Sequence, residues 1–525
     1  MREPVLQHQV AAANPLSSSL SCGYNQTWKF SIAPKLQAKR ESMEVVRHGA
    51  ATLAIARRRT MKKLLPVLAF AALALLPCAV AQSPASFAFP PDSEIRQILV
   101  DRIDKDRQSV GIVVGVIEPA GRRVITYGSL EKGDKRSLNG DTVFEIGSVT
   151  KVFTSLLLTD MVQRGEVTLT DPVSKYLPPG VKMPERGGRQ ITLEDLATHT
   201  SGLPRLPSNL AQKDPANPYA DYAVEQLYQF LSSYQLTRDI GSQYEYSNLG
   251  GGLLGHVLAR RAGMNYEALV RSRICEPLGM KSTAITLSAD MKARFAAGHD
   301  QALETVAYWD LPTLAGAGAL RSTANDLLTF LAANLGYTKS PLAPAMAAML
   351  ATRRPTGVSG LEIGLGWHVS TKDGREIIWH NGGTGGFRTF VGFDLKSRVG
   401  VVALSNTSTA TGVDDIGRHL LDSKSPLTPA PKEHKQVAVD PKLFDGYVGR
   451  YELAPTFVIT VTREGNQLFV QATGQPKFEV FPESDKDYFL KVVDAQITFE
   501  TDSQGKVTGL TLHQNGMNKT GKRIE

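Results

Sequence analysis

Cysteine is scarce in this chain, with three in 525 residues, at positions 22, 78 and 275. Cys22 and Cys78 fall in a leader-like N-terminus, which leaves Cys275 alone and excludes an internal disulfide from the rest. Cys275, in Arg-Ile-Cys-Glu-Pro, reads as a small buried apolar residue. No Cys/His cluster has metal-ligand spacing, so neither a metal nor another cofactor is expected. An excess of positive charge is also missing once it is located. The net charge is +8, but residues 1–81 carry eleven Lys or Arg against three Asp or Glu. The remainder holds 59 − 11 = 48 basic and 51 − 3 = 48 acidic residues. A neutral body gives no charge-based case for nucleic acid. No nucleic-acid partner is expected, and no stable partner is predicted.

The only long apolar run lies in the leader. Met61-Lys62-Lys63 is a short basic start, and Leu64–Val80 is apolar apart from Pro66, Pro77 and Cys78. Ala79-Val80-Ala81 then places small residues where a signal peptidase inspects them, before Gln82. This is a secretory signal over 61–81, too short and proline-rich to read as a membrane span. It implies an exported protein, periplasmic or secreted, with an uncleaved membrane anchor as the alternative. Residues 1–60 show no periodicity and read as an upstream extension absent from the mature chain. An Arg-rich transit peptide around Arg57-Arg58-Arg59 is the other reading.

Behind the leader the chain divides into 92–422, a Pro-rich linker over 423–433, and 434–525. Ser93–Asp106 reads as a helix, and Val110–Ile117 with Arg123–Tyr127 as a hairpin joined at Ala120-Gly121. Helical periodicity follows over Val149–Arg164, Leu249–Ala262 and Ala324–Asn334, the last capped by Ser322-Thr323. Strand-like runs close the region at Glu376–His380, Phe387–Phe393 and Val399–Ser405. Strands at both ends with helices between them predict an α+β fold: one antiparallel sheet closed by distant parts of the chain, flanked by helices and a helical subdomain. The tail shows seven β-rich runs between Tyr447 and Leu512, separated by turns such as Glu464-Gly465-Asn466. It predicts a small all-β barrel-like domain.

Three sequence elements carry chemistry. Ser-x-x-Lys occurs at 129–132, 148–151 and 503–506. Only Ser148 stands at the start of a predicted amphipathic helix, where a spacing of three puts Lys151 one turn on, within reach of the hydroxyl. A nearby amine of lowered pKa can take a serine proton, and free helix N–H groups favour charge developing there. The bland alternative is a helix cap. Tyr246-Ser247-Asn248 lies before another helix. A tyrosine can relay a proton to a leaving group, and an asparagine amide can hold both sides of a substrate amide; otherwise it is a buried aromatic beside a cap. His380-Asn-Gly382-Gly383-Thr-Gly-Gly386 lies between two strands, and its glycines let backbone approach a ligand closely. A tight hairpin with a structural histidine is the alternative. No Gly-x-Ser-x-Gly elbow occurs.

Phe-Glu-Ile-Gly-Ser148-Val-Thr-Lys151, Tyr246-Ser-Asn248 and His380-Asn-Gly382, in that order, resemble the three-element signature of class C β-lactamases and DD-carboxypeptidases. Leu196-Ala-Thr-His199-Thr-Ser-Gly-Leu-Pro204, Pro277-Leu-Gly-Met280 and Gly316-Ala-Gly-Ala-Leu-Arg-Ser322-Thr also resemble that family. The tail resembles the lipocalin-like β-domain appended to such hydrolases. The resemblance implies a β-lactamase/transpeptidase-like fold and an acyl-enzyme on Ser148. It implies that Lys151 and Tyr246 move protons and that Asn248 binds the substrate amide. The N–H groups of Ser148 and Gly383 would form an oxyanion hole, and His199 would brace its loop. His380 stands where class C enzymes carry lysine, so it would attract a substrate carboxylate more weakly, with Arg388 supplying that charge. The departure shifts the expected activity from β-lactamase toward peptidase or esterase. The implied substrates are D-amino-acid peptides, β-lactams and related amides and esters. A carboxylesterase or a non-catalytic penicillin-binding module on the same fold are the rivals.

Overall fold

A computed structural model describes residues 87–525 apart from 211, 431–433, 455–456, 474–476, 492–494 and 515–516. The signal and the upstream extension therefore lie outside the described residues.

The strand-forming runs at the two ends of the large region meet in one sheet. Its eight strands are β1 (Gly111–Glu118), β2 (Gly121–Gly128), β3 (Arg354–Pro355), β4 (Leu361–Ile363), β5 (His368–Lys372), β6 (Arg375–Gly383), β7 (Arg388–Asp394) and β8 (Val399–Ser405), in the order β2-β1-β8-β7-β6-β5-β4-β3. All pairings are antiparallel; Ile112 on β1 faces Ser405 on β8, and Gly383 on β6 faces Arg388 on β7. Side chains alternate across the pleat, and both faces are covered. Ile112, Val114, Val116, Val401 and Phe390 pack under α1 (Asp92–Val100) and a late helix, Asp414–Leu421. Val113, Val391, Phe393 and Leu404 join the core on the other side. That explains why β8 is buried at every position and reads as a continuous apolar run. The three short strands β3–β5 are too brief and mixed for a period to show.

Three helices on the second face position the chemistry: α2 (Thr150–Gln163), α3 (Asn248–Ala262) and α4 (Ala324–Asn334). Sequence periodicity predicts α2 as amphipathic, and the structure corrects this. Every residue from Thr150 to Met161 is buried. α2 packs against α3, Ala315–Gly318 and Ala343–Ala351, and Phe153 stacks on Phe330 of α4 at 4.8 Å. A helix enclosed on all sides needs no polar face.

The tail forms a closed antiparallel barrel of eight strands: β9 (Gly449–Ala454), β10 (Phe457–Glu464), β11 (Gln467–Ala472), β12 (Lys477–Pro482), β13 (Asp487–Phe489), β14 (Ala495–Thr501), β15 (Val507–Gln514) and β16 (Met517–Arg523). Tyr451, Tyr488 and Phe499 are buried and in ring contact. Sequence reading finds seven of these strands. The missing one, Met-Asn-Lys-Thr-Gly-Lys-Arg, has no apolar alternation, yet it closes the barrel by pairing with β15 and β9. The Pro-rich segment is not free along its whole length. The Ser425 carbonyl lies 2.8 Å from His419 Nδ1, the Thr428 N–H donates to Asp415 Oδ2 at 2.7 Å, and Leu427 packs on the α1 side of the sheet.

Candidate active site

Ser148 sits where the chain turns from the short strand Val143–Glu145 into α2. Gly147 has φ +49°, and Gly147–Val149 form a single tight turn ahead of the helix. A Cβ on Gly147 would lie 2.7 Å from the Gly383 nitrogen, and one on Gly382 only 2.0 Å from the Ile146 carbonyl oxygen. Only glycine at both positions lets the end of β6 come this close to the serine turn. Ser148 is half-buried, and its hydroxyl makes no capping bond. The helix-cap alternative is thereby removed. The other two Ser-x-x-Lys runs lie at the end of β2 and in the β14–β15 turn, away from any such helix start.

Lys151 is 3% exposed, and all three polar contacts of its nitrogen are short: 3.0 Å to Ser148 Oγ, 2.8 Å to Asn248 Oδ1 and 2.7 Å to the Ala317 carbonyl oxygen. Burial pushes the amine well below its ordinary pKa, and the Arg205 cation adds to that. In its neutral form the amine has two N–H groups and one lone pair. Asn248 Oδ1 and the Ala317 carbonyl can only accept, so they take the two hydrogens. The lone pair is left facing the serine hydroxyl. α3 begins Asn-Leu-Gly-Gly-Gly, and a Cβ on Gly251 would lie 3.0 Å from Lys151 Cε. The missing side chain is what admits the lysine.

Tyr246 and Asn248 flank Ser247, whose hydroxyl accepts the Gly250 N–H at 2.8 Å and caps α3. Asn248 uses its oxygen on Lys151, and its amide N–H groups have no protein partner among the described residues. The Tyr246 ring lies 4.8 Å from Lys151 Nζ, and burial pushes the phenol pKa up to about 12, with the neighbouring Ser148 hydroxyl acting the other way. At neutral pH it is a proton donor. His199 holds this segment in place. It has φ +57°, its Nδ1 accepts the Ser247 N–H at 3.2 Å, and its ring lies 4.5 Å from Tyr246. Burial holds His199 neutral.

The third element is rearranged relative to expectation. His380 is 1% exposed, and burial, with His368 beside it, holds its pKa well below the usual histidine value. Its Nδ1 lies 2.6 Å from the Asn381 carbonyl oxygen, so Nδ1 carries the hydrogen and Nε2 is a buried acceptor without a protein partner. A neutral ring presenting a lone pair repels rather than anchors a carboxylate. Arg388 is engaged as well: Nε donates to the Thr409 carbonyl and Nη1 to those of Thr384 and Phe387. It ties the turn between β6 and β7 to the following loop.

Residues the motifs do not announce complete the site. The Arg205 guanidinium lies 5.3 Å from the Tyr246 ring centre. Tyr219 packs on Trp309 at 5.4 Å, and Asn217 and Asp310 exchange two hydrogen bonds, at 3.0 and 2.8 Å, tying the loops that carry them. Tyr244 bonds His368 Nε2 at 3.0 Å. Arg205 directly follows the Leu196–Pro204 phrase, which was the one available signal. The others come from loops without a readable pattern. Among the described residues no group of His, Cys, Asp and Glu could hold a metal ion.

A half-buried serine, a buried amine of lowered pKa 3.0 Å from its oxygen, a phenol and an asparagine amide on one face of an antiparallel sheet are the arrangement of a serine hydrolase of the β-lactamase and DD-peptidase type. The chain belongs to the beta-lactamase family, whose model matches residues 96–423. Residues 433–523 match a second model, described as a domain of unknown function (DUF3471). The chain is similar to the D-alanyl-D-alanine-carboxypeptidase/endopeptidase AmpH of Escherichia coli (strain K12), 33% identical over 361 residues, 64% of this chain and 92% of the relative. Penicillin-binding protein 4* of Bacillus subtilis (strain 168) is 26% identical over 425 residues, 76% of this chain and 92% of the relative. Among solved structures, a beta-lactamase/D-alanine carboxypeptidase from Yersinia pestis complexed with citrate aligns with TM-score 0.56 and 27% identity, over 63% of this chain and 96% of that one.

Proposed function

We propose that the protein is exported and cleaves peptide-like amides of the D-alanyl-D-alanine kind, and related esters and β-lactams, through an ester on Ser148. The observation that carries this is the Lys151 nitrogen, desolvated and 3.0 Å from the serine oxygen. In the first step Ser148 Oγ bonds to the substrate carbonyl carbon as its proton passes to the Lys151 lone pair. The carbonyl oxygen gains charge against the backbone N–H groups of Ser148 and Gly383, a contribution of about 3 kcal/mol in comparable holes. Asn248 holds the amide beside the scissile bond. As the carbon–nitrogen bond breaks, the Tyr246 phenol gives its proton to the leaving amine and recovers one from Lys151. Water then attacks the ester by the reverse route and frees Ser148. The neutral His380 favours an esterase as the second reading, because a neutral ester needs no cation at that position.

The test is acylation by a fluorescent penicillin followed by intact-mass analysis, with product release followed in the same samples. One adduct is expected on the natural chain and none on Ser148→Ala. Wild-type turnover by a folded Ser148→Ala variant would remove the covalent mechanism. Neutral-ester turnover without any D-alanyl peptide or β-lactam cleavage would establish the esterase.

A further inference from the structure

The site has a cation that no motif assigns. Lys151 is committed to Ser148, Asn248 and Ala317, and burial lowers its pKa well below the ordinary amine value. His380 is neutral and buried, and the Arg388 head is spent on the carbonyls of Thr384, Phe387 and Thr409. Arg205 differs from all three. Its side chain is exposed, and among the described residues its guanidinium contacts the Tyr246 ring with no carboxylate or carbonyl accepting from it. Its backbone is nonetheless fixed at the site: the Arg205 carbonyl accepts the N–H groups of Asn248 at 3.0 Å and Leu249 at 3.1 Å. The same residue is therefore tied to the start of α3 and projects a guanidinium 5.3 Å from the Tyr246 ring. Its field reaches Lys151, Tyr246 and His199.

We propose that Arg205 is the specificity residue that receives the anionic group of the substrate, a carboxylate one or two residues from the scissile bond. The inference rests on the hydrolase reading above and adds the residue that selects the substrate's charge. The reach is right, since one extended residue spans about 3.5 Å and the guanidinium borders the ring that faces Ser148. The chemistry is right because a guanidinium offers paired N–H donors to a carboxylate, and Arg205 has those donors unspent. A purely structural cation–π contact with Tyr246 is the competing account, and it predicts no dependence on substrate charge.

The experiment compares two matched pairs on the full chain: a D-alanyl-D-alanine peptide with its C-terminal amide, and a carboxyphenyl ester with the plain phenyl ester. The readout is the ratio of kcat/KM, charged over neutral, within each pair. Arg205→Gln should lower that ratio about 10- to 100-fold, the usual weight of a hydrogen bond to a charged group. Arg205→Lys should restore part of it, and Arg388→Gln should leave it within about threefold of the natural chain. A ratio unchanged in Arg205→Gln, or one that collapses in Arg388→Gln instead, overturns the proposal. The ester pair keeps the assay readable if peptides are not substrates. Ester turnover that persists in Ser148→Ala would sink the covalent reading and leave the Arg205 ratio standing as its own result.

Discussion

Lys151 reaches Ser148 through space that α3 leaves open at Gly251. Replacing that glycine by alanine puts a methyl 3.0 Å from Lys151 Cε inside a buried contact, so the amine must move. Overpacking of this kind costs about 1–3 kcal/mol of stability. Gly251→Ala should therefore lower Tm and kcat together, with the thermal shift read by calorimetry. Lys151→Ala removes the positioned base outright and should slow acylation about 100- to 10,000-fold while the burst amplitude stays tied to Ser148. Tyr246→Phe separates the two proton transfers. A phenol that serves the leaving amine matters little when the leaving group is an acidic phenol. The variant should lose far more activity on an amide than on a p-nitrophenyl ester, and equal losses on both would assign Tyr246 to the serine proton instead.

Around the catalytic groups, the supporting elements hold several histidines neutral. Burial pushes His368 on β5 and His256 on α3 down to about 4. Unfolded, each titrates near 6.5. Between those values the unfolded chain binds protons that the folded chain refuses, so the free energy of unfolding falls as pH drops from about 6.5 toward 4 and the term flattens below. His368 alone should account for a loss on the order of 3 kcal/mol over that interval, since one pKa unit is worth about 1.4 kcal/mol. Urea unfolding at pH 7, 5.5 and 4.5 checks the sign: stability should fall at each step, and His368→Gln should flatten part of the slope. A rising stability over this range would mean that these rings are protonated in the fold.

At the scale of the molecule, the first half of the Pro-rich segment belongs to the hydrolase region. Asp415 forms a buried ion pair with Arg102 at 2.5 Å and also accepts the Thr428 N–H. A chain cut after Ala430 keeps these contacts and should retain its turnover of small substrates. Cutting after Ser423 strips Leu427 and Thr428 from the α1 side, and it should lower stability by about 1 kcal/mol or more relative to the longer cut, as expected for one lost hydrogen bond and some apolar burial. Thermal melts of the two truncations make the comparison. Loss of turnover in the longer, folded truncation would instead show that the barrel helps to build the site.

The residues alone determined a good deal. The grouping of Ser148, Lys151, Tyr246 and Asn248 was legible because each lies at or beside a helix start, and a helix start leaves a local signature. Strands β1, β2 and β8 were legible from runs of Val and Ile, and the barrel from alternation along most of its strands. Short-range chemistry writes these patterns directly into neighbouring positions. Tertiary structure decided the rest. α2 carries the pattern of a half-exposed helix and is enclosed because three other segments close over it. β16 has no apolar period and pairs only because two strands need a partner. His380 and Arg388 look like substrate-binding residues in sequence, with Arg388 supplying the charge. Burial holds the first neutral and backbone carbonyls occupy the second, while Arg205, just past a family-like phrase that gives it no role, sets its guanidinium beside Tyr246. Desolvation and the occupation of hydrogen-bond donors depend on what surrounds a group in space, and that is information a linear chain does not hold at any single position.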